Sequence, residues 1–144
     1  MSQQFARFPS LSGKTVFMTG GASGIGAEIV KAFSGQGAKV GFLDLDQTRS
    51  AELAEVLGPD VAFEICDLRD ITALKLALDA LTDRIGSADV VVNNAARDDR
   101  HDWQDVTVEY WDERMATNLR HQFFTLQHLA PGMIERGGGP IVNI

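Results

Sequence analysis

An α/β fold built on a doubly wound parallel sheet, three layers deep in the order α-β-α, is predicted for this chain by three observations. Short apolar, β-rich runs alternate with stretches of helical periodicity along the whole sequence. The runs are apolar at consecutive positions, as in strands buried on both faces. A glycine-dense turn directly follows the first run. Strands separated by helices join through right-handed crossovers into one parallel sheet.

The elements follow in order. Thr15 to Thr19 (TVFMT) forms the first strand, and Gly20 to Gly26 the turn. Ile25, Ile29 and Phe33 recur at four-residue spacing on a first helix that stops at Gly37. Val40 to Leu43 is a second strand ending in Asp44 and Asp46, with Asp46 capping a helix over Gln47–Leu57 closed by Gly58-Pro59. Val61 to Cys66 is the third strand and ends in Asp67. Ile71, Leu74, Leu78, Leu81 and Ile85 make the clearest helical stripe in the chain, stopped at Gly86. Ala88 to Val92 is a fourth strand, its end marked by Asn93-Asn94. After a polar loop, Arg97 to Asp105, one long helix is expected over about 107–136. Trp111, Met115, Leu119, Phe123, Leu126 and Ala130 form its apolar face, and Pro131 kinks it or ends it early. Ile141 to Ile144 opens a fifth strand. No repeat, low-complexity tract or linker divides the chain, so residues 1–144 read as part of a single domain. An open apolar strand is a poor way to finish a sheet, so the chain is expected to be truncated after the fifth strand, the N-terminal portion of something longer.

Composition narrows the function. The 144 residues are 44% apolar and 23% charged, a balance that suits one globular domain with a proper core. A net charge of −7 lacks the basic face that a phosphate-backbone binder needs, which argues against nucleic acid. No stretch approaches eighteen consecutive apolar residues, so no membrane span is expected, and Met1 to Lys14 lacks the apolar core of a secretory leader. A lone Cys66 and three scattered His argue against a disulfide framework and against a metal site. A cytoplasmic α/β domain is the expectation.

The turn Thr19-Gly20-Gly21-Ala22-Ser23-Gly24-Ile25-Gly26 carries the chemistry. Between the first strand and first helix of a doubly wound fold it faces the crevice where dinucleotides bind. Gly20 permits the tight turn, Gly24 lets backbone approach a pyrophosphate, and Gly26 lets helix and sheet pack closely. The unpaired N–H groups of the helix start then meet the anion, aided by the helix dipole. Glycines that merely turn the chain are the plainer reading, and Asp44 argues against it. It lies eighteen residues beyond Gly26, where a carboxylate accepts hydrogen bonds from the adenosine ribose hydroxyls. It would repel a 2′-phosphate, and neither Ser23 nor Leu45 is basic, so NAD is expected rather than NADP. Arg49 is the one nearby cation that weakens this reading.

With TGGASGIG at 19–26, Asp67-Leu68 after strand three, Asn93-Asn94-Ala95-Ala96 after strand four and Asn118 in the long helix, the chain resembles the short-chain dehydrogenase/reductase family in its single-domain, Rossmann-type branch, from about Leu11 to Ile144. The resemblance implies a cofactor site made of Gly20, Ser23, Gly24, Ile25, Gly26, Asp44, Asp67, Leu68, Asn94, Ala95 and Ala96. Asp67 would bond the adenine amino group, the Leu68 backbone would contact the ring, and Asn94 and Ala95 would lie along the adenosine ribose and the central sheet. The family usually has Gly where Ala96 stands. Asn118 matches the Asn that interrupts the long helix and holds a water of the proton relay.

The family's Ser and Tyr-x-x-x-Lys lie beyond strand five. There the Lys cation lowers the pKa of a Tyr acting as general acid/base. Here the only tyrosine, Tyr110, precedes Asn118 and is followed four places on by Arg114, so the two are expected to be a helix-surface pair. The resemblance therefore implies a catalytic centre outside these residues, in a protein of roughly twice the length.

The segments 95–101, 110–115 and 118–124 resemble the family's aldose 1-dehydrogenases, which oxidise the anomeric carbon of sugars to lactones. A loop rich in Asp, Arg and His suits sugar hydroxyls, and equally suits a solvated loop with internal ion pairs. Another short-chain oxidoreductase, such as a 3-oxoacyl thioester reductase or alcohol dehydrogenase, is the alternative, as is a non-catalytic NAD-binding fragment. The resemblance also implies a homo-dimer or homo-tetramer that pairs through the long helix and the helix that follows it in the family, the second of which lies beyond these residues.

Overall fold

The computed structural model describes residues 6–144, so part of the leader-like stretch considered above lies outside the described residues. Five strands form one sheet: β1 (Thr15–Thr19), β2 (Lys39–Asp44), β3 (Val61–Ile65), β4 (Val90–Asn93) and β5 (Ile141–Asn143). All neighbours run parallel, in the order β3-β2-β1-β4-β5. β2 and β3 step away from β1 on one side, β4 and β5 on the other. The direction of winding therefore reverses between β1 and β4, the place where such sheets leave a crevice beyond their strand ends. Register decides what meets there: Thr19 stands opposite Leu43 of β2 and Asn93 of β4. The turn leaving β1 thus lies beside the ends that carry Asp44 and Asn94.

Helices α1 (Gly24–Gly35), α2 (Gln47–Leu57), α3 (Ile71–Ile85), α4 (Val108–Met115) and α5 (His121–Glu135) flank the sheet. Alternation along the strands divides the core between two faces. Val16, Met18, Val40 and Phe42 pack with Val30 and Leu53 under α1 and α2. Phe17, Leu43 and Val91 pack with Leu74, Leu78, Leu81, Leu129 and Met133 under α3 and α5. The doubly wound, three-layer reading is the observed architecture. Among the described residues no helix is long and apolar enough to cross a membrane.

Local chemistry sets the boundaries. Asp46 caps α2 by accepting from the Arg49 N–H at 2.9 Å. Asp70 caps α3 by accepting from Thr72 and Ala73 at 2.9 and 3.0 Å. Gly58 and Gly86 close those helices with φ of +90° and +95°, a region costly for any residue with a Cβ.

Three expectations about helices need correction. On α1 the buried residues are Gly26, Ala27 and Val30, whereas Ile25 is 67% exposed. Ile29 and Phe33 only border the core. The expected single long helix is α4 and α5 joined through a five-residue π-helical segment, Ala116–Arg120. A wide turn advances the chain out of phase with a 3.6-residue stripe, so the face expected to be buried is not the inner one. Trp111, Leu119 and Phe123 are exposed, and the inner face is Ala116, His121, Thr125, Leu129 and Met133. Two polar residues on that inner face hid it from a hydrophobicity reading. Pro131 does not end the helix, which continues to Glu135. Pro131 and Gln127, whose carbonyl loses its partner, both lie on the exposed outer face, where that carbonyl is open to solvent.

The capping geometry yields a test. Asp70→Ala should lower unfolding free energy by about 1 kcal/mol, read as a lower denaturation midpoint with an unchanged denaturant slope. An unchanged midpoint would mean that the cap contributes nothing to stability.

Candidate functional site

A cleft of about 530 Å³ opens at the switch point, over the C-terminal ends of β1, β2, β3 and β4. Its floor is the turn into α1. Gly20 takes φ +71° and Gly24 φ +54°, both in the left-handed region. A Cβ on Gly20 would meet the Ala95 backbone at 2.8 Å, and one on Gly26 would lie 1.8 Å from the Gly20 carbonyl oxygen. A Cβ on Gly24 would meet nothing within 4 Å. Gly20 and Gly26 are therefore required by protein packing, while Gly24 faces open space. The first intrahelical bond of α1 is Ala27 N–H to the Ser23 carbonyl, at 3.2 Å. Ser23 makes no side-chain cap. Among the described residues the N–H groups of Gly24, Ile25 and Gly26 have no partner. Three amide donors at the positive end of a helix dipole form a ready anion seat.

Asp44 forms the next wall. One carboxylate oxygen accepts from the Ala22 N–H at 2.8 Å and the other from the Asp46 N–H at 3.0 Å. Gly20 N–H meanwhile donates to the Leu43 carbonyl at 2.7 Å. The turn is thereby tied to the end of β2. Each oxygen keeps a lone pair for a further donor. Arg49 sits 3.5 Å from Asp46 and is engaged there rather than with Asp44.

The far wall is charged. Arg69 grips Asp67 at 2.6, 2.9 and 3.1 Å and reaches Glu113 at 3.2 Å. Hydrogen bonding from the Arg69 side chain holds the Asp67 carboxyl below its usual range. Glu113 also contacts Arg97 at 3.5 Å, and Arg97 pairs with Asp99 at 2.7 Å. Between these groups Cys66 is buried, and burial, followed by the charges of Asp67 and Asp70, pushes its thiol up to about 11. A thiol so protonated is a poor nucleophile.

All the cofactor residues expected from sequence, from Gly20, Ser23, Gly24, Ile25 and Gly26 through Asp44, Asp67 and Leu68 to Asn94, Ala95 and Ala96, line this one cleft. Three of them do work that sequence did not suggest. Asn94 donates from Nδ2 to the Gly20 and Thr19 carbonyls at 2.8 and 3.3 Å, bracing the turn from behind. Asp67 is committed to Arg69. Ile25 is a solvent-facing lip and not part of the buried stripe.

Asn118 sits in the π segment, outside the cleft lining. Its Oδ1 accepts from Arg97 N–H at 2.8 Å and its Nδ2 donates to the Arg97 carbonyl at 2.9 Å. One N–H of the amide remains uncommitted. Arg69 and Thr117, not singled out from sequence, complete the lining together with Leu45 and with Arg97, Asp98 and Glu113 from the segments that resemble the aldose 1-dehydrogenases. No spacing rule identifies the contacts of Arg69 and Arg97 with Glu113, which span 44 and 16 positions. Tyr110 and Arg114 brace the same loop. The Tyr110 hydroxyl donates to the Asp99 carbonyl at 3.2 Å, and Arg114 lies 4.6 Å over the Tyr110 ring and 2.6 Å from Asp99. His101 packs edge-on against that ring. Of the loop's charges, Arg97 and Asp99 serve internal ion pairs.

A parallel doubly wound sheet with three free amides at its switch point and a carboxylate at the end of the second strand is a Rossmann-type arrangement, the fold class in which such a crevice takes dinucleotides. The family model described as short chain dehydrogenase matches residues 14–144, and the chain belongs to the short-chain dehydrogenase family. It is 49% identical over 141 residues to the D-xylose 1-dehydrogenase of Caulobacter vibrioides, covering 96% of this chain and 55% of that protein. Identity is 45% over 147 residues with a Rhizobium meliloti protein described as "Probable galactose dehydrogenase", covering 99% of this chain and 57% of that one. The crystal structure of gox2181 superposes with a TM-score of 0.86 at 27% identity, covering 96% of this chain and 54% of that one. The chain spans about half the length of the relatives it matches.

The Asp67–Arg69 pair has a measurable consequence. A carboxyl lowered in the folded state favours folding above its unfolded value, and that contribution is lost as pH falls through the lower native value. An NMR titration of the Asp67 carboxyl carbon should show a midpoint below 3.8 that rises in Arg69→Ala. Equal midpoints in the two proteins would show that Arg69 does not hold Asp67.

Proposed function

We propose that this chain is the dinucleotide-binding part of an NAD-dependent oxidoreductase that oxidises the anomeric carbon of an aldose to a lactone. One observation carries the cofactor reading: the Asp44 carboxylate, anchored through both oxygens to Ala22 and Asp46, shares a cleft with the three unpartnered amides of Gly24, Ile25 and Gly26. The amides suit a pyrophosphate, and the carboxylate suits the vicinal hydroxyls of a ribose while disfavouring a 2′-phosphate. Bound NAD supplies the hydride acceptor. This chain orients it: the α1 start seats the diphosphate, Asp44 holds the adenosine ribose, and Asp67 and Leu68 border the adenine. Asn94, Ala95 and Ala96 form the wall beneath the ribose, and Asn118 offers its free N–H to a relay water.

The sugar assignment rests on the two relatives named for xylose and galactose oxidation. Arg97 and Asp98 at the cleft mouth supply donors and acceptors for hydroxyls. Trp111, Leu119 and Phe123, exposed along α4 and α5, suit pairing of two copies into a dimer or tetramer. The cytoplasm is the compartment we assign, where NAD is at hand.

Two measurements test this. Calorimetric titration should show NAD binding more tightly than NADP, and Asp44→Ala should weaken NAD by about 1–3 kcal/mol while NADP loses less or gains. Tighter NADP binding by the unaltered protein would remove the ribose assignment. In the full-length protein, NAD reduction should be faster with free aldoses than with secondary alcohols, or than the reverse reaction on 3-oxoacyl thioesters. The opposite ranking would point to the other oxidoreductases of this scaffold.

A further inference from the structure

Behind the cleft, between the end of β1 and the start of α5, lies a polar cluster with no solvent access. Thr19 is 1% exposed and His121 0%. The Thr19 hydroxyl oxygen accepts from the Asn94 N–H at 3.1 Å and from the Ala95 N–H at 3.2 Å. It also lies 3.2 Å from Nε2 of His121. A hydroxyl has two lone pairs and one proton. Both lone pairs are engaged by the β4-end amides, so the proton has only His121 to go to. Nε2 must then be an acceptor, which leaves the imidazole neutral with its proton on Nδ1.

We propose that His121 is a positioning residue: by accepting the Thr19 proton it fixes the hydroxyl that ties the end of β1 to Asn94 and Ala95, and so sets the cofactor wall in register with the π segment that carries Asn118. The inference rests on the dinucleotide reading of the cleft and deepens it. Asn94 reaches forward from this cluster to the Gly20 carbonyl, so the hydroxyl supports the phosphate turn from one side. His121 is the first residue of α5, directly after the π segment, and so supports the other. This position explains why a histidine occupies an inner helix face that it shares with Ala116, Thr125, Leu129 and Met133.

Protonation would undo the arrangement. An imidazolium presents N–H at Nε2 to an oxygen whose lone pairs are already used, so either the Asn94 or the Ala95 amide must let go. No carboxylate is on hand to compensate. On the flanking elements Arg120 donates to the Arg69 carbonyl, Arg97 pairs with Asp99 and Glu113, His128 pairs with Asp79, and Lys75 lies over Phe124. Burial lowers the His121 pKa from 6.5, and the Thr117 carbonyl acts in the opposite sense. For a histidine lowered in the folded state, the sign of the linkage is set. Above about 6.5 the folded and unfolded states are both neutral and nothing is lost. As pH falls below that value the unfolded state takes up the proton first, and stability declines until the native value is passed.

The test uses the full-length protein and has two arms. Proton–nitrogen correlation spectra of the imidazole should place the proton on Nδ1 at pH 7.5. The Asn94 and Ala95 amide resonances should shift together as His121 titrates below 6.5. A proton on Nε2, or amides indifferent to that titration, would overturn the proposal without any nucleotide being present. In the second arm, the dissociation constant for NAD is followed from pH 7.5 downward through the His121 titration that the first arm locates. It should rise severalfold in the unaltered protein and stay level in His121→Gln, whose side-chain carbonyl accepts the same proton but does not titrate. In His121→Phe it should be weaker by about tenfold at every pH, the order expected when a buried hydroxyl loses its acceptor. His121→Gln that follows the same pH profile as the unaltered protein would also overturn it. Absence of NAD binding by the unaltered protein would remove the dinucleotide reading alone, with the first arm still deciding on His121.

Discussion

Helix α1 begins where β1 ends, and the contact between them has no space for a side chain. The Gly20 carbonyl sits where a Cβ of Gly26 would have to be. That close approach aims the helix axis, and the free amides of Gly24 to Gly26, across the end of the sheet. The other parts of the cleft are arranged around it. Asp44 holds the turn from the side of β2 and Asn94 from the side of β4. A bulkier helix start would tilt the amides away and leave both braces without a partner.

Under the proposed function, the cleft takes an anion despite the protein's charge. With seven more acidic than basic groups, the chain's overall field opposes phosphate. The cations of the cleft do not reverse this, because Arg69 is committed to Asp67 and Glu113, and Arg97 to Asp99 and Glu113. Attraction has to come from short-range donors whose dipoles point one way, which act only on a ligand already in place. Single exposed ion pairs contribute little to stability. The chain of them from Asp67 to Arg114 instead fixes where the loop after β4 lies relative to the β3 end of the cleft.

Much of this was legible in sequence, and the failures have a common cause. The strand runs, the α3 stripe, the glycine turn and the cap Asp46 depend on residues close together in the chain, so local patterns reveal them. On α4 and α5 the reading went to Trp111, Leu119 and Phe123 because they are apolar at helical spacing. The true inner face carries His121 and Thr125, and a π segment shifts its phase. No single-period pattern can register such a shift. Asn94 and Asp67 were read by their matching positions, yet their partners, the Gly20 carbonyl and Arg69, changed what each side chain is occupied with.

The sequence by itself determined the order of strands and helices, the place of the phosphate turn and the acidic residue that closes the second strand. Each follows from glycine's backbone freedom, from alternation and from caps, which act over a few residues. Tertiary structure alone decided which face of α5 is covered, that Glu113 joins Arg69 to Arg97, and that His121 meets Thr19. Those contacts join residues from 16 to 102 positions apart. They form only when the sheet, wound in both directions from β1, brings the strand ends and the π segment to one edge.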